Sequence, residues 1–161
     1  MMVLLVSSII LTLAISSGRS MWLENHSAVT INSLMQTLNY ARSAAILRNE
    51  KIIVCPSSDG RNCNCADWAQ QQLVLNANNE LLRVFAGLDS DDRLIWNSSL
   101  GKDEKIEWLP SGYTNGQRGS FYYCPRDALA QYARKLVLLN TGRLYSAALS
   151  MEEFGKFCGD L

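Results

Sequence analysis

The sequence predicts an α+β fold in which one long N-terminal α-helix packs on an antiparallel β-sheet head. Two observations lead to this fold class. Apolar residues recur at helical spacing in the first part of the chain, and from Lys51 onward β-rich segments alternate with turn residues at short intervals. A helix with one apolar stripe and a sheet with apolar faces bury both when they pack together.

The predicted helix runs from residue 1 to about residue 49 and has two halves of different character. The front half, MMVLLVSSIILTLAI, contains no charged residue, whereas the sequence turns polar from Gly18 onward. Spacings of three and four residues place an apolar stripe on one face of the rear half, made of Ile31, Leu34, Leu38, Ala41 and Ala45. The residues between them are mostly polar and are expected to face water, namely Asn32, Gln36, Asn39, Arg42 and Ser43.

The apolar front half is short for a membrane span. Its residues 1–15 would span about 22 Å as a helix, whereas the hydrocarbon core of a bilayer is about 30 Å thick. A signal peptide cleaved near Ala14-Ile15-Ser16 is one explanation, although no basic residue precedes Arg19. The other is that the natural chain starts upstream of Met1, where about five more residues would complete a span.

We predict two regions on this basis: a transmembrane or filament-core segment over residues 1–20, and a head over residues 21–161 that includes the amphipathic half of the helix. The apolar side chains expected to drive membrane insertion and assembly are Met1, Met2, Val3, Leu4, Leu5, Val6, Ile9, Ile10, Leu11, Leu13 and Ile15.

The head is predicted to contain eight strands, because eight segments are rich in β-branched, aromatic or other apolar residues and are bounded by turn residues. They are residues 51–55, 72–75, 81–85, 93–96, 105–109, 119–124, 135–139 and 143–149. Pro56 is expected to end the first strand. An asparagine-rich turn is predicted over residues 76–80, and a turn over residues 140–142 with Gly142 at positive φ. The residues after Leu149 are predicted to form a short polar tail.

Composition argues against several classes of function. The formal net charge is +0, so no overall field attracts nucleic acid or an anionic membrane, and five cysteines in 161 residues indicate an oxidising compartment. The single histidine, His26, is expected to be a solvated helix residue. No serine or cysteine lies in a nucleophile motif, so we predict no catalytic residue, no enzyme activity and no cofactor.

Metal binding is also not predicted. Cys63-Asn64-Cys65 lacks the second ligand pair of a zinc site. Asp89, Asp91 and Asp92 lack the glycine and the distal glutamate of a calcium-binding EF-hand, so a solvated acidic loop is expected there.

Three stretches together resemble the GspH/FimT family, which comprises pseudopilins of type II secretion and minor pilins of type IV pili. They are ARSAAILRN at the helix end, VCPSSDG in the following turn and NTGR at residues 140–143. The resemblance runs from Met1 to about Leu149 and implies a pilin-like fold. Family precursors carry a basic leader that a prepilin peptidase removes before methylating the new N-terminus. In the family, the sequence Gly-Phe-Thr-Leu-Ile-Glu follows the leader, and cleavage occurs after its glycine. This motif is missing here, and Met1-Met2-Val3 matches the residues that follow the motif's glutamate, which again favours an upstream start.

The resemblance implies a subunit that is held in the bacterial inner membrane by a single pass, with a periplasmic head. It would assemble at or near the tip of a type IV pilus or a type II pseudopilus and prime assembly. Its implied partners are other minor pilins or pseudopilins and the major pilin, and the alternative is a plain membrane anchor. Cys55 is expected to pair with Cys63 or Cys65, which lie on the other side of one turn. Cys124 is expected to pair with Cys158 and tie the tail to the sheet, as in many minor pilins.

DNA binding in natural transformation is the second hypothesis, because some FimT-type proteins bind DNA through a Gly-Arg-x-Arg turn. Here the turn reads Gly142-Arg143-Leu144-Tyr145, with tyrosine in place of the second arginine. Residues 108–150 hold five basic residues and one acidic residue. The candidates are Arg143, Arg134, Lys135, Arg126, Arg118 and Tyr145, which could contact phosphates or stack on a base. A structural role for these residues is favoured, and any DNA binding should be weak and salt-sensitive.

Overall fold

The computed structural model of the protein describes residues 2–88, 92–99, 105–126 and 130–159, with side chains from Ser20 onward. It confirms the predicted fold class, since a long N-terminal helix packs on antiparallel sheet. The sheet is divided into two four-stranded sheets, a division that the strand pattern alone does not reveal.

Helix α1 (Met2–Arg48) packs on the head through the predicted stripe. Leu38, Ala41 and Ala45 are fully buried, and Ile31 and Leu34 are nearly so. Asn49 ends the helix with a φ of 52°, and the next amide, that of Glu50, donates to the Ala45 carbonyl at 3.3 Å. Asparagine tolerates this left-handed conformation better than most residues, which places the helix end where it was predicted.

Arg42 corrects the expectation that it faces water. Its guanidinium is partly buried and donates to the carbonyl oxygen of Gly142 at 3.1 Å, so it joins α1 to a turn 100 residues later in the chain. An arginine has a long apolar stem, which lets it lie along a packed surface while its donors reach a carbonyl.

The predicted apolar side chains of residues 1–15 lie outside the described side chains, and Met1 lies outside the described residues. Within the part of the chain that the structure does describe, no helix is long and apolar enough to cross a membrane.

The first sheet has the strand order β3-β2-β1-β5, with β1 (Ile52–Ser57), β2 (Gln71–Leu75), β3 (Leu81–Phe85) and β5 (Ile106–Trp108). The second has the order β4-β6-β7-β8, with β4 (Arg93–Ser98), β6 (Gly119–Cys124), β7 (Arg134–Leu138) and β8 (Leu144–Ala148). All pairs are antiparallel. A short 3₁₀ helix (Ala130–Tyr132) precedes β7, and helix α2 (Met151–Cys158) follows β8.

Pro56 does not end the first strand as predicted. It lies within β1 and pairs with Gln72 of β2. On its other side β1 pairs with β5 only from Ile52 to Val54, so β1 has a single neighbour at Pro56. A proline, which has no amide hydrogen, is tolerated where one side of a strand needs no ladder bond.

The core lies between α1 and the inner faces of both sheets. Its largest fully buried side chains include Trp68, Trp108, Tyr123 and Phe121, and Trp68 meets Phe121 edge to face with ring centroids 4.9 Å apart. Three alanines of α1 (Ala41, Ala44 and Ala45) belong to this cluster, together with Trp68 and Trp108.

Both predicted turns have the expected backbone. Asn79, in the asparagine-rich turn between β2 and β3, has a φ of 62°, and Gly142 has a φ of 78°. A Cβ atom at Gly142 would also collide with the carbonyl oxygen of Gly112 and the Trp108 ring. Glycine is therefore required at position 142 by both conformation and space.

Candidate assembly and binding surfaces

A polar cluster joins α1 to the second sheet where the helix enters the head. His26 Nε2 lies 3.0 Å from Asp92 Oδ2, and the Tyr123 hydroxyl donates to the same carboxylate oxygen at 2.6 Å. The backbone amide of Arg126 donates to the other oxygen at 3.3 Å. Burial and the bond to Asp92 raise the pKa of Tyr123, so its hydroxyl stays a donor. We call His26, Asp92 and Tyr123 the entry cluster.

The entry cluster corrects two expectations. His26 is not a solvated bystander, and Asp92 does not belong to a solvated loop, because its side chain is only 8% exposed. Asp89 and Asp91 lie outside the described residues. The partners are distant in sequence, since 66 residues separate His26 from Asp92, and no local spacing signals their contact.

The C-terminal segment does not form the polar tail that was expected. Residues 151–158 form helix α2. Ser150 and Glu153 form a reciprocal capping box at its start. This Ser-x-x-Glu pattern is visible in the sequence and would have predicted the helix. Phe157 stacks on Tyr122 with ring centroids 3.9 Å apart, so the outer face of the second sheet is partly covered.

A disulfide and an ion pair fix α2 to that sheet. Cys124, at the end of β6, is bonded to Cys158, and both are buried. Lys135 Nζ donates to Glu153 Oε1 at 2.6 Å. The hydrogen bond from Lys135, together with one from the Ser150 amide, lowers the pKa of Glu153.

The second disulfide resolves the alternative left open for Cys55, which is bonded to Cys63. Cys65 is a free thiol with intermediate exposure. No group of three or more histidine, cysteine, aspartate or glutamate side chains within the described ranges could hold a metal ion. Between the disulfide cysteines, Asp59 accepts hydrogen bonds from the amides of Asn62 and Arg61, which lower the pKa of its carboxyl group.

The DNA-binding candidates do not form one basic patch. Lys135 is paired with Glu153, and Arg134 lies 3.8 Å from Glu24 of α1. Glu24 and Glu153 both lie outside residues 108–150, so the basic surplus of that range is larger than its unpaired positive charge. Arg118 and Arg126 are exposed at opposite ends of β6.

Arg143 and Tyr145 are two of the DNA-binding candidates, and both are exposed near the start of β8. Arg143 is exposed in the turn before β8, and the Tyr145 side chain is 44% exposed on the same strand. Within the described residues, the Arg143 side chain has no hydrogen bond or ion pair. The turn that carries Arg143 is joined to α1, because the Gly142 carbonyl accepts a hydrogen bond from Arg42.

Comparisons with known proteins agree with this fold. Residues 30–142 match the family model described as type II transport protein GspH. No curated protein matches the chain. The type IV minor pilin FimU of Pseudomonas aeruginosa superposes with a TM-score of 0.59 at 18% identity, covering 77% of this chain and 87% of FimU. The minor pseudopilin EpsH from the type 2 secretion system of Vibrio cholerae gives 0.55 at 15% identity, covering 76% and 97%.

Proposed function

We propose, because this chain belongs to the GspH family of type II transport proteins, that it is a minor pilin or pseudopilin subunit. In this proposal it assembles through its N-terminal helix at or near the tip of a type IV pilus or type II secretion pseudopilus, where it primes assembly. The proposal assigns it no enzymatic activity.

One observation carries the proposal. Helix α1 has 47 residues, and within the described side chains its contribution to the hydrophobic core begins only at Ile31. The head closes its core with the rear half, and the proposal assigns the uncharged front half to another apolar environment. Burial of apolar side chains contributes about 25 cal/mol per Å2, which suits both membrane storage and a bundle of helices in a filament.

The proposal includes a location and a set of partners. The subunit waits in the bacterial inner membrane with its head in the periplasm, and it then contacts other minor pilins or pseudopilins and the major pilin. The disulfides Cys55–Cys63 and Cys124–Cys158 support an oxidising compartment. A prepilin peptidase acts on the chain if its natural start lies upstream of Met1.

The first test is the N-terminus of the protein made from its native locus with the upstream DNA. Mass spectrometry of the membrane form should find an N-methylated residue a few positions before Met1. An N-terminus at Ser17 would instead mean a cleaved signal peptide and would overturn assembly through the helix.

A second test uses a matched pair of substitutions in the apolar half. Ile9→Arg should remove the protein from the sheared filament fraction, because a charge in a helix bundle or bilayer core is costly, whereas Ile9→Leu should leave it there. Equal recovery of both variants would refute a role for this segment in assembly.

DNA uptake remains the second candidate, and the joint exposure of Arg143 and Tyr145 is the observation that favours it. A fragment of residues 20–161, which contains the head, should retard a DNA fragment at low salt, and Arg143→Ala should weaken the retardation. Arg61→Ala is the control, because Arg61 is an exposed arginine in the Cys55–Cys63 turn and its removal changes the net charge equally. No retardation at micromolar protein would exclude this function. Equal effects of the two substitutions would show that any retardation depends on net charge and not on the site at Arg143.

A further inference from the structure

Two large apolar side chains are exposed on α1 just before the helix begins to pack on the sheets. Met21 is 68% exposed and Trp22 is 61% exposed, whereas Ser27, further along the helix, is fully buried. We call residues 20–25 the neck. Neighbouring exposed apolar side chains of this size mark a surface that contacts something other than water.

The Trp22 ring is held in place by the head. It stacks on His26 with ring centroids 5.1 Å apart and an angle of 9° between the rings, and His26 is itself held by Asp92. The indole is therefore ordered before it meets a partner, so less side-chain entropy is lost on contact.

The position of Trp22 along the helix indicates which partner this is. The uncharged apolar run ends at Ile15, and Trp22 follows seven residues later, or about 10 Å along the helix axis. Helical side chains lean toward the N-terminus, so the indole lies closer to the run than its Cα atom does. With the run in the hydrocarbon core, the ring reaches the polar layer, which is about 5–8 Å thick on each side of a bilayer.

We propose that Trp22 and Met21 seat the neck in the lipid headgroup layer of the membrane from which the head projects. Tryptophan suits this layer, because its ring is apolar and its N–H can donate to a lipid oxygen. The inference rests on the proposed function, since it requires a membrane-stored subunit. Because the formal net charge is +0, the contact should be of similar strength on neutral and anionic membranes.

Fluorescence quenching tests the contact directly. The full chain is reconstituted into phosphatidylcholine vesicles whose acyl chains carry bromine near the headgroups or near the bilayer centre. Trp68 and Trp108 are buried in the head and Trp96 is half-buried, so Trp22 is the fluorophore that lipid can reach. Shallow bromines should reduce total emission by up to about a quarter, the share of one tryptophan in four, and deep bromines should reduce it less.

Two variants control the assignment. Trp22→Phe should abolish the quenching. Adding Tyr113→Trp to that variant places an exposed tryptophan next to Gly112, which lies close to Ile46 near the other end of α1, and should not restore the quenching. Far-UV circular dichroism should be unchanged, since neither position is buried.

The outcomes separate this inference from the proposed function. Flotation of the vesicles in a density gradient shows whether the chain is bound to them. A chain that floats with the vesicles but is not quenched would overturn the neck contact and would still support the membrane anchor. Quenching that survives Trp22→Phe would also overturn it. An emission change that depends on the ratio of protein to lipid but not on bromine would show that another subunit covers the neck. A chain that does not float would overturn both proposals.

Discussion

Removal of the Cys124–Cys158 disulfide should destabilise the head more than removal of Cys55–Cys63. The first bond joins residues 34 positions apart and the second joins residues 8 positions apart. The chain-entropy relation, evaluated for these loop lengths at 25 °C, gives about 3.8 kcal/mol for the longer loop and about 2.5 kcal/mol for the shorter one. For a head of this size, the larger loss corresponds to a fall in Tm of roughly 10 °C.

The assay compares two double variants, Cys124→Ala with Cys158→Ala and Cys55→Ala with Cys63→Ala, in urea unfolding of the head. The buried rings of Trp68 and Trp108 report on the core of the head. Helix α2 has eight residues, too few for a stable helix in isolation, so its release should unfold it and let trypsin cleave after the exposed Lys156. A loss below about 1 kcal/mol for the Cys124–Cys158 pair, or a larger loss for the other pair, would refute the reasoning.

Three further predictions concern single contacts. Tyr123→Phe should cost about 1.5–3 kcal/mol in urea unfolding, because it removes a hydrogen bond to the Asp92 carboxylate. Tyr122→Phe should lower the free energy of unfolding by less, because the Tyr122 hydroxyl makes no hydrogen bond within the described residues. Equal losses of stability in the two variants would contradict this prediction. Gly142→Ala should destabilise by about 1–3 kcal/mol, whereas Gly155→Ala on α2, where a Cβ meets nothing within 4 Å, should stabilise by about 0.5–1 kcal/mol. Glu153→Gln should lower the free energy of unfolding by about 0.5–1 kcal/mol at neutral pH. In the folded state the pKa of Glu153 is lower than its ordinary value of about 4.5. The difference in unfolding free energy should therefore shrink as the pH falls below that value, and a difference that does not depend on pH would refute the prediction.

The features that the sequence predicts correctly depend on local rules. The α1 stripe follows from helical spacing, and the φ values of Asn79 and Gly142 follow from residue type. The local rule for proline failed at Pro56, because the strand it interrupts has only one neighbour at that position. A local rule would have succeeded for α2, whose capping box is written in Ser150 and Glu153.

The features that could not be predicted depend on pairing between distant residues. Sequence spacing allowed Cys55 to bond to Cys63 or to Cys65, and only the path of the turn decides between them. Likewise, the basic candidates looked unopposed because Glu24 and Glu153, which pair with Arg134 and Lys135, lie on α1 and α2.

The contact between Arg42 and the Gly142 carbonyl has a consequence for the order of events during synthesis. The arginine is made 100 residues before its acceptor, and β7, against which α1 also packs, is among the last strands to be made. At about 5–20 residues per second, the ribosome needs roughly 5–20 s to supply these partners. The rear half of α1 therefore waits for seconds with part of its apolar stripe uncovered, and nascent chains should engage a holding chaperone or the membrane in that interval.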